Sequence, residues 1–65
     1  MTKHDAKAEL FKGKKLTHRF FMSHEYIQIR CGNLIDEDEL VLPWKIFWEN
    51  RTEKDWQTGW KLFKH

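Results

Sequence analysis

The chain has 65 residues and a formal net charge of +2, with five Phe, four Trp and one Tyr among them. That length allows one small domain spanning 1–65, and a domain this size buries only about 60% of the surface its unfolded chain exposes, so help is expected from outside a single-copy core. Cys31 stands alone, which excludes an internal disulfide. His4, His18, His24 and His65 are scattered with no cysteine at finger-like spacing, so no structural metal and no cofactor are expected.

The first expected element is a helix of two to three turns. Thr2 is placed to cap it with Asp5 three residues on, Ala6, Leu10 and Phe11 form its apolar face, and Gly13 stops it. "KLTHRFF" (Lys15–Phe21) alternates, with Leu16, His18 and Phe20 opposed to Thr17, Arg19 and Phe21, and reads as a strand. "EYIQIRC" alternates too, with Ile27 and Ile29 opposed to Tyr26, Gln28 and Arg30. Met22-Ser23-His24 connects these two strands, and Gly32-Asn33 is the expected two-residue hairpin turn. A strand at Leu34–Asp36, an acidic turn at Asp36–Glu39 and a strand at Leu40–Leu42 follow. Pro43 ends that strand and opens a short helix or turn near 43–50, where Trp44, Phe47 and Trp48 share a helical face. "RTEKD" is a polar loop, and "GWKLFKH" closes the chain with a strand on which Trp60 and Leu62 share a face. The expected fold is therefore α+β: one short N-terminal helix packed on a four- to five-stranded antiparallel sheet.

Charge is unevenly distributed. Residues 1–30 hold seven Lys/Arg against three acids, "DEDE" contributes −4, and residues 40–65 return +2. This is a basic body with one acidic turn, which argues against a long nucleic-acid partner. No apolar run is long enough to cross a membrane and no signal peptide is recognisable, so a cytoplasmic protein is expected.

The basic residues interleave with rings. Lys14, Lys15 and Arg19 come from the helix exit and first strand, and Arg30 from the second. Arginine suits phosphodiesters through bidentate hydrogen bonds, and aromatic faces hold bases by stacking. Lys15, His18, Arg19, Phe21 and Arg30 are therefore candidate ligand contacts, with Trp44, Trp48 and Trp56 as candidate stacking walls. Of Trp44, Phe47 and Trp48, one is expected in the core, one against another subunit and one beside a ligand. The plainer reading makes the lysines solubilising and the rings core or interface. The aromatic excess as a whole points to a homo-oligomer. Cys31 reads as an unreactive residue near the hairpin turn, and the four acids as a solvated turn without the ligand alternation of a calcium loop. Catalysis is not expected.

"AELFKGKKLTHRFF", "EYIQI", "GNLIDEDE" and "DWQTGWKLF" together resemble short phage and prophage proteins related to the Thoeris anti-defence sponge family of the second type. Two features differ: only Asp36–Glu39 stands where larger members carry a long insertion, and Phe20-Phe21 stands where they have Gly-Trp. The resemblance implies a non-catalytic homo-oligomer, dimer or tetramer, in the cytoplasm of an infected bacterial host. It further implies a captured signal of the cyclic nucleotide or cyclic ADP-ribose type. The alternative is a phage-encoded protein that masks a host defence or replication protein, with exposed rings and arginine as its hot spots.

Overall fold

A computed structural model describes residues 1–64 of the chain. The first helix, α1 (Lys3–Phe11), starts where the sequence places it. The Thr2 hydroxyl accepts from the Asp5 N–H at 3.1 Å, and the Thr2 N–H donates to the Asp5 carboxylate at 3.3 Å. At the other end Gly13, at φ +85°, sends its N–H to the Leu10 carbonyl, and the Lys14 N–H reaches that of Glu9. These two bonds satisfy carbonyls that the helix itself leaves open. Ala6 and Leu10 are fully buried, whereas Phe11 is 72% exposed and leans on Trp44 with ring centroids 5.3 Å apart. Phe11 does not join the buried face.

The Thr2 cap carries a testable energy. Thr2→Ala is expected to cost about 1 kcal/mol in urea denaturation. Hydrogen bonding to Thr2, by its backbone N–H first and its hydroxyl second, lowers the Asp5 carboxyl below its ordinary value. A lowered carboxyl stabilises the fold above its unfolded-state pKa and loses that contribution as pH falls through the folded value. Thr2→Ala removes the hydroxyl but keeps the backbone N–H, so it should flatten the acid limb of the stability profile only in part and leave its alkaline limb unchanged.

Four strands follow: β1 (Leu16–His18), β2 (Ile27–Arg30), β3 (Asn33–Asp36) and β4 (Trp60–Leu62), in the antiparallel order β3-β2-β1-β4. Several expected boundaries move. β1 stops at His18, because the Phe21 N–H folds back onto the His18 carbonyl at 2.8 Å and turns the chain. Arg19 and Phe21 therefore do not share a strand face. The hairpin turn is Cys31-Gly32, with φ of +52° and +81°, one residue earlier than expected, and Asn33 pairs with Arg30. Leu40–Leu42 contributes no strand, only a bridge from Val41 to Ile35, and Pro43 has no N–H to extend it. The expected terminal strand extended to His65, which lies outside the described residues; β4 ends at Leu62.

Directly paired residues lie on the same side of a sheet. The registers Leu16↔Ile27, Leu16↔Leu62, His18↔Trp60 and Ile29↔Leu34 therefore collect one apolar face. The helix α1 and a second helix, α2 (Trp44–Glu49), cover that face, with Ala6, Leu10, Phe47 and Trp48 meeting Leu16, Ile27, Leu34 and Trp60 in one cluster. A 3₁₀ turn at Lys54–Trp56 occupies what reads in the sequence as polar loop. No helix among the described residues is long and apolar enough to cross a membrane.

The rings build much of this core. Trp60 is 1% exposed, with Trp48 at 5.3 Å, His18 at 4.7 Å, Phe21 at 5.8 Å and Trp56 at 5.9 Å between centroids, and its Nε1–H donates to the Trp56 carbonyl at 2.8 Å. In "PWKIFWEN", Phe47 and Trp48 both belong to the chain's own core. Trp44 is half-buried, edge-on to Trp48 at 5.5 Å. The expected division into one core ring, one interface ring and one pocket ring is thus replaced by two core rings and one at the margin. The Lys3 and Lys7 ammonium groups lie 5.6 and 5.0 Å from the Trp48 ring, and burial lowers the Lys3 pKa, with Lys7 nearby adding to the effect.

Candidate functional site

Two concave regions flank the 21–26 segment, and Phe21 lines both. The first is a groove of about 560 Å³, in the size range of small-molecule sites. Arg19, Lys61 and Lys64 supply its charge, Phe21 and Phe63 its rings, and Thr17 and Ser23 its hydroxyls; none of its described lining residues carries a carboxylate. Local structure accounts for this grouping. Trp60 takes the inward position on β4, so the alternation of a strand turns Lys61 outward beside its partner Thr17. The turn after His18 carries Arg19 to the same region, where its guanidinium lies 5.5 Å from the Phe20 ring and 3.6 Å from Asp55. Both partners of that ion pair are more than half exposed, so it holds Arg19 weakly.

The second region is a cleft of about 300 Å³ between α2 and the adjoining ends of β2 and β3. Ile27, Leu42, Ile46 and Phe47 give it an apolar lining, and Glu25, Asp36 and Glu37 outnumber its one cation, Arg51. Arg51 lies 3.9 Å from the Phe47 ring centroid and 4.9 Å from that of Trp56, and donates to the Phe47 carbonyl at 3.1 Å. Burial lowers its pKa below the ordinary arginine value, and its Nε is buried without a partner. One Asp36 oxygen accepts from the N–H groups of Asp38 and Leu40, which ties that carboxylate into its own turn. Asp36, Glu37 and Asp38 bring oxygens within 4.8 Å of one another, an arrangement common to solvated acidic turns.

The expected site residues do not all meet. His18, Arg19 and Phe21 line the groove. His18, though, is 1% exposed: its Nε2 donates to the Thr58 carbonyl at 2.7 Å, and its Nδ1 accepts from the Phe20 N–H at 3.0 Å. Both ring nitrogens are occupied by backbone, so His18 holds the wall together and offers nothing to a ligand phosphate. Arg30 lies at the far end of the sheet. The antiparallel pair Leu16↔Ile27 sends Arg19 and Arg30 toward opposite ends of the sheet. Arg30 is paired with Glu39. Lys15 lies over Tyr26 at 4.7 Å, Trp48 is 5% exposed in the core, and Trp44 rests on Phe11. Trp56 packs on His18 at 4.3 Å and forms the back of the same wall.

Lys61, Lys64 and Arg51 are the functional candidates that the sequence reading missed. For Lys61 the signal was present, since placing Trp60 and Leu62 inward turns the residue between them outward. For Arg51 it lay in the spacing to Phe47, four residues back at the end of an aromatic helix.

Gly59 connects the wall to the groove. At φ +89°, its backbone is one that residues with a Cβ rarely adopt, and an added Cβ would come within 3.0 Å of His18 Nε2 and 3.2 Å of the Arg19 side chain. Gly59→Ala is expected to cost more than about 1 kcal/mol. It should also broaden or shift the Thr58–Lys61 amide resonances, because the Thr58 carbonyl loses its fixed imidazole.

No family model, curated protein or solved structure matches the chain.

Proposed function

We propose that the chain is a non-catalytic binding protein that holds a phosphate-bearing small molecule of the cyclic nucleotide or cyclic ADP-ribose class in the groove beside β4. Sequestration of such a signal in the cytoplasm of an infected bacterium is the role this reading gives it. The observation that carries the proposal is the convergence of Arg19, Lys61 and Lys64 with Phe21 and Phe63 around one concavity free of described carboxylates. Arg19 is suited to a bidentate phosphate contact, the two lysines add point charges, and the rings supply apolar faces for a base. Arg30, Trp44 and Trp48 are not part of this site.

The test is native mass spectrometry and calorimetry against a panel of cyclic mono- and dinucleotides and cyclic ADP-ribose isomers at low salt. A bound ligand recovered intact after denaturation, with affinity reduced tenfold or more in a Lys61→Ala, Lys64→Ala double variant, is the expected result. Recovery of a hydrolysed ligand would make the protein an enzyme, and no uptake across the panel would remove the reading. The masking of a host protein is a second reading, favoured by the exposure of Leu40, Val41 and Ile46 around the acidic cleft. One stoichiometric host partner in a pull-down, with no nucleotide uptake, selects it.

A further inference from the structure

The acidic turn brings the chain back along the outer edge of β3. The Asp36 N–H donates to the Leu40 carbonyl at 3.1 Å and the Leu42 N–H to the Leu34 carbonyl at 2.8 Å, and these two bonds flank the bridge Ile35↔Val41. That pattern fixes the direction of the residue between them. Bonding groups of successive residues alternate sides along a strand, so Val41 turns its own N–H and carbonyl away from β3. Val41 is 60% exposed, and among the described residues neither group has a partner. The extended backbone ends on both sides of it: Glu39 stands at φ +64°, and the Pro43 carbonyl already accepts from the Phe47 N–H of α2. Side chains around this short edge carry apolar surface and negative charge. Leu40 and Ile46 are exposed, while Leu42 packs back against the core. Glu37 and Asp38 lie in the turn that leads into the edge, and among the described residues neither forms an ion pair; Glu39, by contrast, is held by Arg30. Charge on an edge discourages pairing, and here it has one sign: it repels an acidic strand and attracts a basic one.

From this we infer that Val41 is the docking point for an extended segment of a partner protein, apolar where it crosses Leu40 and Ile46 and basic where it passes Glu37 and Asp38. One residue of that segment exchanges both backbone hydrogen bonds with Val41 as an antiparallel pair, which adds a strand outside β3. The next residue toward the segment's C-terminus lies opposite Leu40, and Lys or Arg side chains beyond it reach the two acids. Asp36 takes no direct part, because its carboxylate accepts from the N–H groups of Asp38 and Leu40 and holds the edge in place. Backbone bonds give the position, and charge gives the choice of partner. The inference rests on the second reading above, the masking of a host protein, and gives the segment that docks a chemistry. It uses no residue of the groove, so nucleotide uptake neither supports nor opposes it.

The test uses the full chain and a capped peptide of alternating valine and threonine that ends in three lysines, followed by fluorescence anisotropy at low salt. Circular dichroism confirms that each protein variant is folded. The expected result is saturable binding, with the Val41 amide protected from hydrogen exchange at least tenfold in the complex. Val41→Pro removes an N–H that the fold does not use and should bind at least tenfold more weakly, whereas Val41→Thr keeps that N–H and should bind as the original chain does. Glu37→Lys with Asp38→Lys should lose tenfold or more against the lysine peptide and gain affinity for the same peptide ending in three glutamates. No binding at millimolar peptide overturns the inference. So does equal binding by the Val41→Pro chain, or a peptide preference unmoved by the charge reversal. Protection of the Val41 amide that grows with protein concentration in the absence of peptide would make the occupant a second copy and overturn it too. A host protein captured equally by the original chain and by Val41→Pro sinks this inference while leaving the second reading standing.

Discussion

Trp60→Ala is expected to leave most of the chain unfolded at 25 °C. Trp60 is 1% exposed, lies inward on β4 opposite His18, and meets Trp48, Trp56, Phe21 and His18 at centroid separations of 5.9 Å or less. Truncating a buried tryptophan to alanine costs about 3–5 kcal/mol. A 65-residue domain has a total stability of roughly 3–10 kcal/mol. The loss is therefore comparable to the whole. Trp60→Phe separates packing from hydrogen bonding: it keeps an aromatic ring but removes the indole N–H that donates to the Trp56 carbonyl at 2.8 Å. It should fold, with a urea midpoint below that of the original chain and a loss of about 1–3 kcal/mol. A Trp60→Ala chain with a cooperative transition near the original midpoint would mean that this ring is not the centre of the core.

The second large effect is expected at His18. Its imidazole holds two separate pieces of backbone, the Thr58 carbonyl before β4 and the Phe20 N–H in the turn after β1, while stacking on Trp56 at 4.3 Å. His18→Leu fills the space but leaves that carbonyl and that N–H without their side-chain partner, at about 1–3 kcal/mol for each group kept from water. His18→Phe retains a ring between Trp56 and Trp60 and loses the same two bonds. Both variants should be destabilised by at least about 2 kcal/mol, and both should weaken anion uptake, because the turn that carries Arg19 loses its anchor. A His18→Phe chain as stable as the original would show that stacking alone suffices there.

What could be read from the sequence was what neighbouring residues decide among themselves. The capping pair Thr2 and Asp5 and the Gly13 stop specify α1 within a dozen positions, and the alternation around Ile27 and Ile29 marks β2. Errors arose where distant partners decide. Gly32-Asn33 satisfies a hairpin turn locally, yet it would pair Ile29 with Asp36. The Cys31-Gly32 turn instead pairs Ile29 with Leu34, and the apolar pairing sets the register. Phe20 and Phe21 continue the strand pattern of Leu16–His18, and only the bond from Phe21 N–H back to His18 reveals a turn. The same limit applies to the site. Arg19 and Arg30 look alike in sequence, but strand pairing sends one to the groove and the other to Glu39. Lys61 and Lys64 gain their place from β4 lying beside β1, which no local pattern announces.

That last pairing shapes how the chain reaches its native state. The bond from His18 to Thr58 joins residues forty positions apart, and among the described residues β4 is the only strand on that side of β1. A chain that has formed β1, β2 and β3 still presents β1 as a raw edge, with the Leu16–His18 backbone unpaired where Trp60–Leu62 belongs. Closing that loop costs entropy before the indole repays it in contacts. Partial order in the hairpin should therefore carry little stability of its own, and acquisition of structure should be abrupt, with the arrival of Trp60 as the committing event.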